Sequence, residues 1–321
     1  MNQEETIAPR RTRSHAYILA FILRTSLNKH AGITSDLNSS VPSASSVVKG
    51  FFQIFKVMRW AFLVCLLSCS AWAESRAPVS VPPVIASYPH DPKSFTQGLL
   101  WHKGLLYEST GRYGYSTLSV RELETGRARW SVKLAPNIFG EGLALIGEDL
   151  VQLSWKEHRI FVYDRATLKL KRNLPYAWEG WGAAYDGRHL IVSDGSAVLR
   201  FLDPVNFKEV RQVTVFDGDQ PIALLNELEY VQGEILANVY GVDRIARISP
   251  ETGKVIAWLD LAHLYPREQW VETGAVLNGI AYDAERQVLM VTGKYWPRMF
   301  LIPAPLSAAS TPASLPYRPK N

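Results

Sequence analysis

The first candidate for chemistry is the segment of residues 139–142, in which Glu141 stands between two glycines and behind Phe139. Glycine lacks a Cβ, so a ligand or another strand can approach the backbone closely. A carboxylate held in such a place is poorly solvated, and its pKa rises toward the range useful to a general acid/base. The same residues are also typical of a β-bulge or strand-end turn that exposes a glutamate to solvent. The segment alone leaves both interpretations open.

The elements that must position this glutamate repeat along the chain. A turn rich in Asp, Ser, Pro, Thr and Gly recurs with its Thr or Asn at Thr125, Thr167, Asn206 and Thr252, in steps of 42, 39 and 46 residues. A period of about 40–45 residues is that of a four-stranded propeller blade. Strand-like apolar runs fill the intervals at residues 105–107, 150–154, 189–193, 235–240 and 288–292.

Five such units over residues 84–303 predict an all-β domain with the fold of a five-bladed β-propeller. A β-sandwich is the alternative, which the regular period disfavours. The best helical segment, residues 261–270, is short and is interrupted by Pro266. Residues 304–321 are rich in Pro, Ala and Ser and are expected to form a loose C-terminal tail.

The N-terminal part of the chain predicts export. Basic residues around Met58 precede an uncharged stretch that closes on Ala-Trp-Ala at residues 71–73, as in a secretory signal peptide over residues 58–73. Met58 is then the expected start, and residues 1–57 are a disordered or mis-assigned extension. The segment 66–69 also resembles a bacterial lipobox, with Cys69 as the acylated residue. Both interpretations place the domain in the periplasm or outside the cell, without a membrane span.

Charge and cysteine content narrow the partners. Residues 1–73 carry eight Lys or Arg and three Asp or Glu, of totals of 35 and 30, so residues 74–321 carry 27 of each sign. This balance argues against nucleic acid as a partner. Cys65 and Cys69 both lie in the leader, so the domain has neither a disulfide nor a cysteine-based metal site. The seven histidines lack the spacing of zinc ligands.

A propeller brings the loops at one end of its channel together, so equivalent positions in successive units supply a site. For Gly98, Gly182 and Gly279, near the start of the inner strands, close packing around the channel is the favoured explanation. The polar and aromatic residues of these loops remain the candidates for chemistry.

Six segments of the domain share their order with a known family. They are residues 88–98, 108–111, 139–142, 225–230, 277–281 and 291–294. Together they resemble the glutaminyl-peptide cyclotransferases of the plant and bacterial type. The resemblance covers about residues 84–303 and implies a five-bladed propeller that converts the N-terminal glutamine of a peptide to pyroglutamate and releases ammonia.

The resemblance implies roles for particular residues. Glu141 matches the family's proton shuttle. Lys294, Asn226 and Gln97 match its donors to the oxyanion or to the substrate amide and amine, with the division of labour left open. Glu108 either holds backbone amides or touches substrate, and Glu227 has the same two options. The expected pocket lining is Phe95, Phe139, Trp155, Trp181 and Tyr240, the last at a position where plant members carry Trp.

The resemblance requires no cofactor, although it allows a structural calcium ion on the propeller axis, whose ligands the spacing does not identify. The zinc of animal cyclotransferases belongs to an unrelated fold. The expected partners are peptides or proteins with an N-terminal glutamine, and the expected state is a monomer. The alternative function is a non-catalytic extracytoplasmic propeller that binds a peptide or sugar in its aromatic channel.

Overall fold

A computed structural model describes residues 76–305 of the chain, and within them the fold is all-β. The predicted five-bladed β-propeller is confirmed, and the β-sandwich alternative is wrong. The predicted helical segment forms only the 3-10 turn Arg267–Gln269, which Pro266 precedes. None of the helical segments within residues 76–305 could cross a membrane. The predictions for residues 1–73, including acylation of Cys69, lie outside the described residues, as does all of the tail beyond Pro305.

The first three blades are antiparallel sheets whose four strands follow one another in the chain, with the first strand innermost. Their side chains alternate between the two faces of each sheet, so the strands read as apolar runs where both faces are covered. Blade 1 comprises Thr96–His102, Leu105–Thr110, Thr117–Arg121 and Ala128–Lys133; blade 2 comprises Gly140–Ile146, Asp149–Ser154, Arg159–Asp164 and Leu170–Pro175; blade 3 comprises Ala183–Tyr185, Leu190–Ser193, Val198–Leu202 and Glu209–Thr214.

The last two blades each include a strand from the N-terminal end of the domain. Val79–Ser80 adds to blade 4 in parallel, and Ala86–Pro89 forms the outermost strand of blade 5. A short hairpin, Phe216–Asp217 with Gln220–Pro221, precedes blade 4. The remaining strands are Leu225–Val231, Glu234–Val239, Arg244–Ile248 and Val255–Asp260 in blade 4, and Leu277–Asp283, Val288–Gly293 and Arg298–Pro303 in blade 5.

The blades form a closed ring. Each inner strand contacts the inner strands of the two neighbouring blades, including the contact of Leu277–Asp283 with Thr96–His102 that joins blade 5 to blade 1. Five apolar clusters fill the interfaces between neighbouring blades. Blade 5 pairs strands from both ends of the domain, so ring closure needs both ends in place. The core therefore holds the inner strands in a fixed arrangement around the axis.

The recurring turn joins the third strand of a blade to its fourth. In all four copies the residue after the Thr or Asn has a positive φ, and its N–H donates to the carbonyl four residues earlier, at 2.8 or 2.9 Å. Blade 5 lacks the turn because its third and fourth strands are the two ends of the propeller. The four positive-φ residues are Gly126, Leu168, Phe207 and Gly253.

Candidate active site

Every predicted site residue lies at one of two equivalent positions in its blade. One is at or just before the start of the inner strand, and the other directly follows the second strand, which is antiparallel to it. Antiparallel pairing places the start of one strand beside the end of the other, so both positions lie at the same end of the propeller. The first position holds Phe95, Gln97, Phe139, Glu141, Trp181 and Asn226, and the second holds Trp155, Tyr240 and Lys294.

The inner strands of blades 1, 2, 4 and 5 share a β-bulge at this end. In blade 2 the register shifts between Gly140 and Leu143, and blades 1, 4 and 5 have the equivalent irregularity. A bulge redirects a side chain away from the ladder. The side chains at the bulge are Gln97, Glu141, Asn226 and Asn278, and Trp181 takes the equivalent place before the short inner strand of blade 3.

The glycines beside these residues serve close packing, as predicted. A Cβ at Gly182 would lie 1.9 Å from the backbone oxygen of Asn226, and one at Gly98 would lie 2.6 Å from the backbone nitrogen of Leu143. Gly279 has a φ of 124°, which other residues rarely adopt. These glycines let the inner strands pack tightly enough to bring the bulge side chains together.

One cavity of about 250 Å³ is lined by all nine predicted site residues. Its polar lining is buried, whereas four of its aromatic residues are partly exposed and Tyr240 is exposed. A deep polar floor under an aromatic wall suits a small ligand with a few polar groups. The lining residues are Phe95, Gln97, Phe139, Glu141, Trp155, Trp181, Asn226, Tyr240 and Lys294.

Glu141 is the carboxylate of this cavity, and only 4% of it is exposed. Its Oε1 accepts a hydrogen bond of 2.9 Å from Nε2 of Gln97. Burial raises the pKa of Glu141 well above its ordinary value of 4.5, the charge of Lys294 opposes this rise, and the carboxylates of Glu157 and Glu179 add to it. The segment thus forms a β-bulge, but the expectation of a solvent-exposed glutamate is wrong.

Lys294 supplies the positive charge of the cavity and is 3% exposed. Its Nζ lies 4.6 Å from the ring centre of Phe95 and 5.1 Å from that of Tyr240. Burial lowers the pKa of Lys294 to about 8, and the charge of Glu141 opposes this decrease. The faces of the two aromatic rings stabilise the charged form of the lysine.

Three amide side chains surround the two charges. Nδ2 of Asn278 donates to Oε1 of Gln97 at 3.2 Å and to the backbone oxygen of Thr96 at 2.9 Å. These contacts orient Gln97 so that its amide nitrogen faces Glu141. The Oδ1 atom of Asn226 is buried and has no hydrogen-bond partner among residues 76–305. A buried acceptor without a partner is costly, which marks it as a contact point for a ligand.

Aromatic rings form a wall of the cavity in two groups. The ring centres of Phe95 and Phe139 are 5.9 Å apart, and those of Phe139 and Trp155 are 5.3 Å apart. Trp181 meets Tyr240 edge to face at 6.4 Å. Tyr240 thus lines the cavity although the plant members carry Trp at its position.

Sequence reasoning assigned no role to three polar residues that contact the lining, although Asn278 lies in one of the six segments. They are Asn278, which orients Gln97, and two carboxylates behind the aromatic wall, Glu157 and Glu179. A signal for Glu179 exists in the sequence, because partly buried tryptophans need an acceptor for the indole N–H. The nearest carboxylate to Trp181 along the chain is Glu179.

Glu108 and Glu227 do not line the cavity. Oε1 and Oε2 of Glu227 accept backbone N–H groups from Leu99, at 3.2 Å, and from Ile280, at 2.8 Å, so its interpretation as a holder of backbone amides is confirmed. Glu108 belongs to a separate buried cluster and binds side chains there. Its partners are His90, Ser94, Thr96 and Arg121.

A calcium ion takes oxygen ligands from carboxylates, side-chain amides and backbone carbonyls. Within residues 76–305, no three His, Cys, Asp or Glu side chains lie together in a group that could hold a metal ion. Both oxygens of Glu227, on the inner strand of blade 4, already accept backbone N–H groups. The calcium ion stays a prediction.

Comparison with known proteins identifies the family. The family profile described as Glutamine cyclotransferase matches residues 57–303. A glutaminyl-peptide cyclotransferase of Arabidopsis thaliana is 42% identical over 225 residues, which cover 68% of this chain and 70% of that protein. The crystal structure of Myxococcus xanthus glutaminyl cyclase matches with a TM-score of 0.67 and 38% identity, over 70% of this chain and 97% of that one. This chain therefore belongs to the glutamine cyclotransferase family.

Proposed function

We propose that this chain converts the N-terminal glutamine of peptides to pyroglutamate and that Glu141 carries the proton in this reaction. The substrate's α-amine attacks its own side-chain amide carbon, so a C–N bond forms in a five-membered ring. The bond to the amide nitrogen breaks, and that nitrogen leaves as ammonia after gaining a proton. Both reacting groups are on one molecule, so holding them in a reactive geometry supplies much of the acceleration.

The observation that carries the proposal is a buried carboxylate at the floor of a cavity of about 250 Å³. Glu141 in its charged form takes a proton from the attacking amine and then gives it to the leaving nitrogen. Burial raises the pKa of Glu141, which makes the carboxylate a stronger base and brings its pKa closer to that of the amine. The hydrogen bond from Gln97 keeps the carboxylate in one orientation.

Lys294 and the amides assist at the other reacting atoms. The carbonyl oxygen of the substrate side chain gains negative charge as the ring closes, and the ammonium of Lys294 is the cation of the cavity that can stabilise it. The unpartnered Oδ1 of Asn226 can accept a hydrogen bond from the substrate amine or amide. These two contacts would hold the amide carbon within reach of the amine.

The aromatic wall excludes water and packs on the glutamine side chain. Its rings also offer their negative faces to a cationic amine before that amine loses its proton. Tyr240, at 42% exposed, borders the mouth of the cavity, where the rest of a peptide would leave it. This arrangement favours a substrate that enters by its N-terminus.

Two further proposals concern conditions and location. The reaction needs no metal, because Glu141 and Lys294 provide proton transfer and charge stabilisation, so a chelator should leave the rate unchanged. The leader sequence supports action in the periplasm or outside the cell. Mass spectrometry of the native protein should find Glu74 at the N-terminus, and an acylated Cys69 there would indicate a membrane anchor instead.

The activity is tested with the purified protein and dipeptides that begin with glutamine. Ammonia should be released, and the product should carry pyroglutamate and lack a free amine. A matched dipeptide that begins with asparagine serves as the control, because attack by its amine would need a strained four-membered ring. If no substrate with an N-terminal glutamine releases ammonia, the proposed cyclotransferase activity is rejected and the peptide-binding alternative is favoured.

A further inference from the structure

One carboxylate oxygen links the two groups of rings in the aromatic wall. Oε2 of Glu179 accepts the indole N–H of Trp155 at 2.9 Å and that of Trp181 at 3.1 Å. Trp155 directly follows the second strand of blade 2, whereas Trp181 precedes the inner strand of blade 3. Glu179 lies in the connection between these blades and is only partly buried.

We propose that Glu179 is a positioning residue, whose shared acceptor oxygen holds the indoles of Trp155 and Trp181 at the angles at which they face the substrate. The inference rests on the proposed cyclotransferase function. It assigns Glu179 no contact with the reacting atoms, since the residue lies outside the cavity lining.

The backbone around Glu179 is fixed independently of its side chain. The N–H of Gly180 donates to the carbonyl of Ser154 at 3.0 Å, and the N–H of Trp181 donates to that of Ser193 at 3.0 Å. The connection is therefore anchored to both blades by backbone bonds. The carboxylate is free to serve the indoles, and its loss should leave the fold in place.

The geometry explains why a shared acceptor oxygen matters here. An indole has a single polar hydrogen, so one hydrogen bond defines which way a partly exposed ring turns. Bonds to a carboxylate are stronger than bonds between neutral groups. Two such bonds to one oxygen also tie the rings to each other, so neither can turn out of the wall alone.

Glu157 offers a matched comparison. It also lies behind the aromatic wall, but it accepts the hydroxyl of Tyr113 at 2.8 Å and the backbone N–H of Phe139 at 3.3 Å, and no indole. The carboxylates of both Glu157 and Glu179 raise the pKa of Glu141 after burial, while Lys294 lowers it. Replacing either glutamate with glutamine therefore removes a similar charge, whereas only Glu179 serves the tryptophans.

The test compares kcat and KM of the full-length protein on a glutamine-initiated dipeptide. Glu179→Leu, which cannot accept the indole bonds, should raise KM by about tenfold and change kcat by less than about threefold. Glu179→Gln keeps an acceptor oxygen, so KM should stay within about threefold of wild type, as in Glu157→Gln. If Glu179→Leu does not fold, Glu179→Asp, which is shorter by one methylene, should raise KM by at least about threefold.

A mutant cycle isolates the indole bonds. In a background of Trp155→Phe and Trp181→Phe, which lacks both N–H groups, Glu179→Leu should have no further effect. A wild-type KM in Glu179→Leu would overturn the inference. An equal rise of KM in Glu179→Gln and Glu157→Gln would also overturn it, because the loss of a negative charge would then explain the effect without the indole bonds. An inactive wild-type protein would instead reject the proposed function.

Discussion

Nε2 of Gln97 donates to Oε1 of Glu141 across 2.9 Å, from the bulge of one inner strand to the bulge of the next. Asn278, on the inner strand of blade 5, orients Gln97 in turn. The bulges of blades 5, 1 and 2 therefore form a hydrogen-bonded chain that ends on the carboxylate. Ring closure of the propeller, which brings blade 5 beside blade 1, is a condition for this chain to exist.

The first prediction concerns Glu141→Gln. Glutamine keeps the shape of the side chain and an oxygen that can accept the bond from Gln97, but it cannot take up a proton at neutral pH. We expect kcat to fall by about 10²–10⁴-fold, because proton transfer occurs in the transition state. KM should change by less than about threefold, since the aromatic wall is unchanged.

Steady-state kinetics with wild-type protein as reference would measure both constants. Glu157→Gln is the control for loss of a nearby charge without loss of the shuttle. Retention of more than about a tenth of wild-type kcat in Glu141→Gln would contradict the general acid/base role. Peptide affinity without catalysis in the wild type would instead match the non-catalytic propeller.

The second prediction concerns the pH dependence of kcat. Burial lowers the pKa of Lys294 to about 8, so the ammonium loses its proton as the pH rises through this value. If the charged form stabilises the oxyanion, kcat should fall above about pH 8. Lys294→Ala should lower kcat by about 10²–10³-fold at pH 7 and remove this decrease.

Lys294→Arg keeps a positive charge at this position but removes the group that titrates near pH 8. Arginine stays protonated from pH 6 to pH 10. The kcat of Lys294→Arg should be lower than that of wild type, because the side chain has a different shape, but it should not fall near pH 8. The profile is measured from pH 6 to pH 10 at saturating dipeptide. A decrease near pH 8 that persists in Lys294→Arg would assign the titration to another group.

The third prediction concerns Trp181→Ala. The substitution removes an aromatic surface that packs on the substrate in both the ground state and the transition state, so KM should rise by about tenfold or more with a smaller change in kcat. Ala183→Gly, two residues away in a buried strand, controls for a general loosening of blade 3. A loss confined to kcat would show that Trp181 acts on the transition state instead.

The sequence was sufficient to predict the blades and the composition of the cavity. The turn at Thr125 and its equivalents marks the third and fourth strands of blades 1 to 4, because each of these blades has a residue of positive φ there. Residues before an inner strand and after a second strand share one end of the propeller, so a count of blades also locates Glu141 and Lys294. The roles of these residues follow from the resemblance and from chemistry, and remain proposals.

Contacts between blades could not be predicted from spacing. Glu179 binds Trp155, which lies 24 residues away in the sequence, and Glu108 binds His90, which lies 18 residues away. Neither separation matches the repeat of the blades. Such pairs depend on the angle between blades, which the interface clusters set and no short segment encodes. Glu108 accordingly could not be separated from the candidate site until its partners were known.

The fourth prediction concerns Glu108, a fully buried residue of blade 1 that contacts His90, in the segment leading from blade 5 into blade 1. Burial alone would raise its pKa, but the charges of Arg121 and His90 outweigh burial and lower the pKa from 4.5 to about 2. His90 also bonds the backbone oxygen of Trp296 at 2.7 Å, so the cluster joins the two blades. Within residues 76–305, Glu108→Gln leaves the buried Arg121 with only the partly exposed carboxylate of Asp91, 3.9 Å away, as a charge partner, and should lower the free energy of unfolding by about 3–5 kcal/mol at pH 7.

The pH dependence of the stability lost in Glu108→Gln gives the sharper test. A folded-state pKa below the unfolded value contributes stability that is present above about pH 4.5 and is lost as the pH falls toward about 2. The difference between wild type and Glu108→Gln should therefore shrink by about 2 kcal/mol between pH 7 and pH 3. Urea unfolding at both pH values measures it, with Glu122→Gln as the control, because Glu122 pairs with Arg129 at the surface and should contribute less than about 1 kcal/mol. A difference that stays constant from pH 7 to pH 3 would mean that Glu108 contributes through packing and neutral hydrogen bonds, and not through its charge.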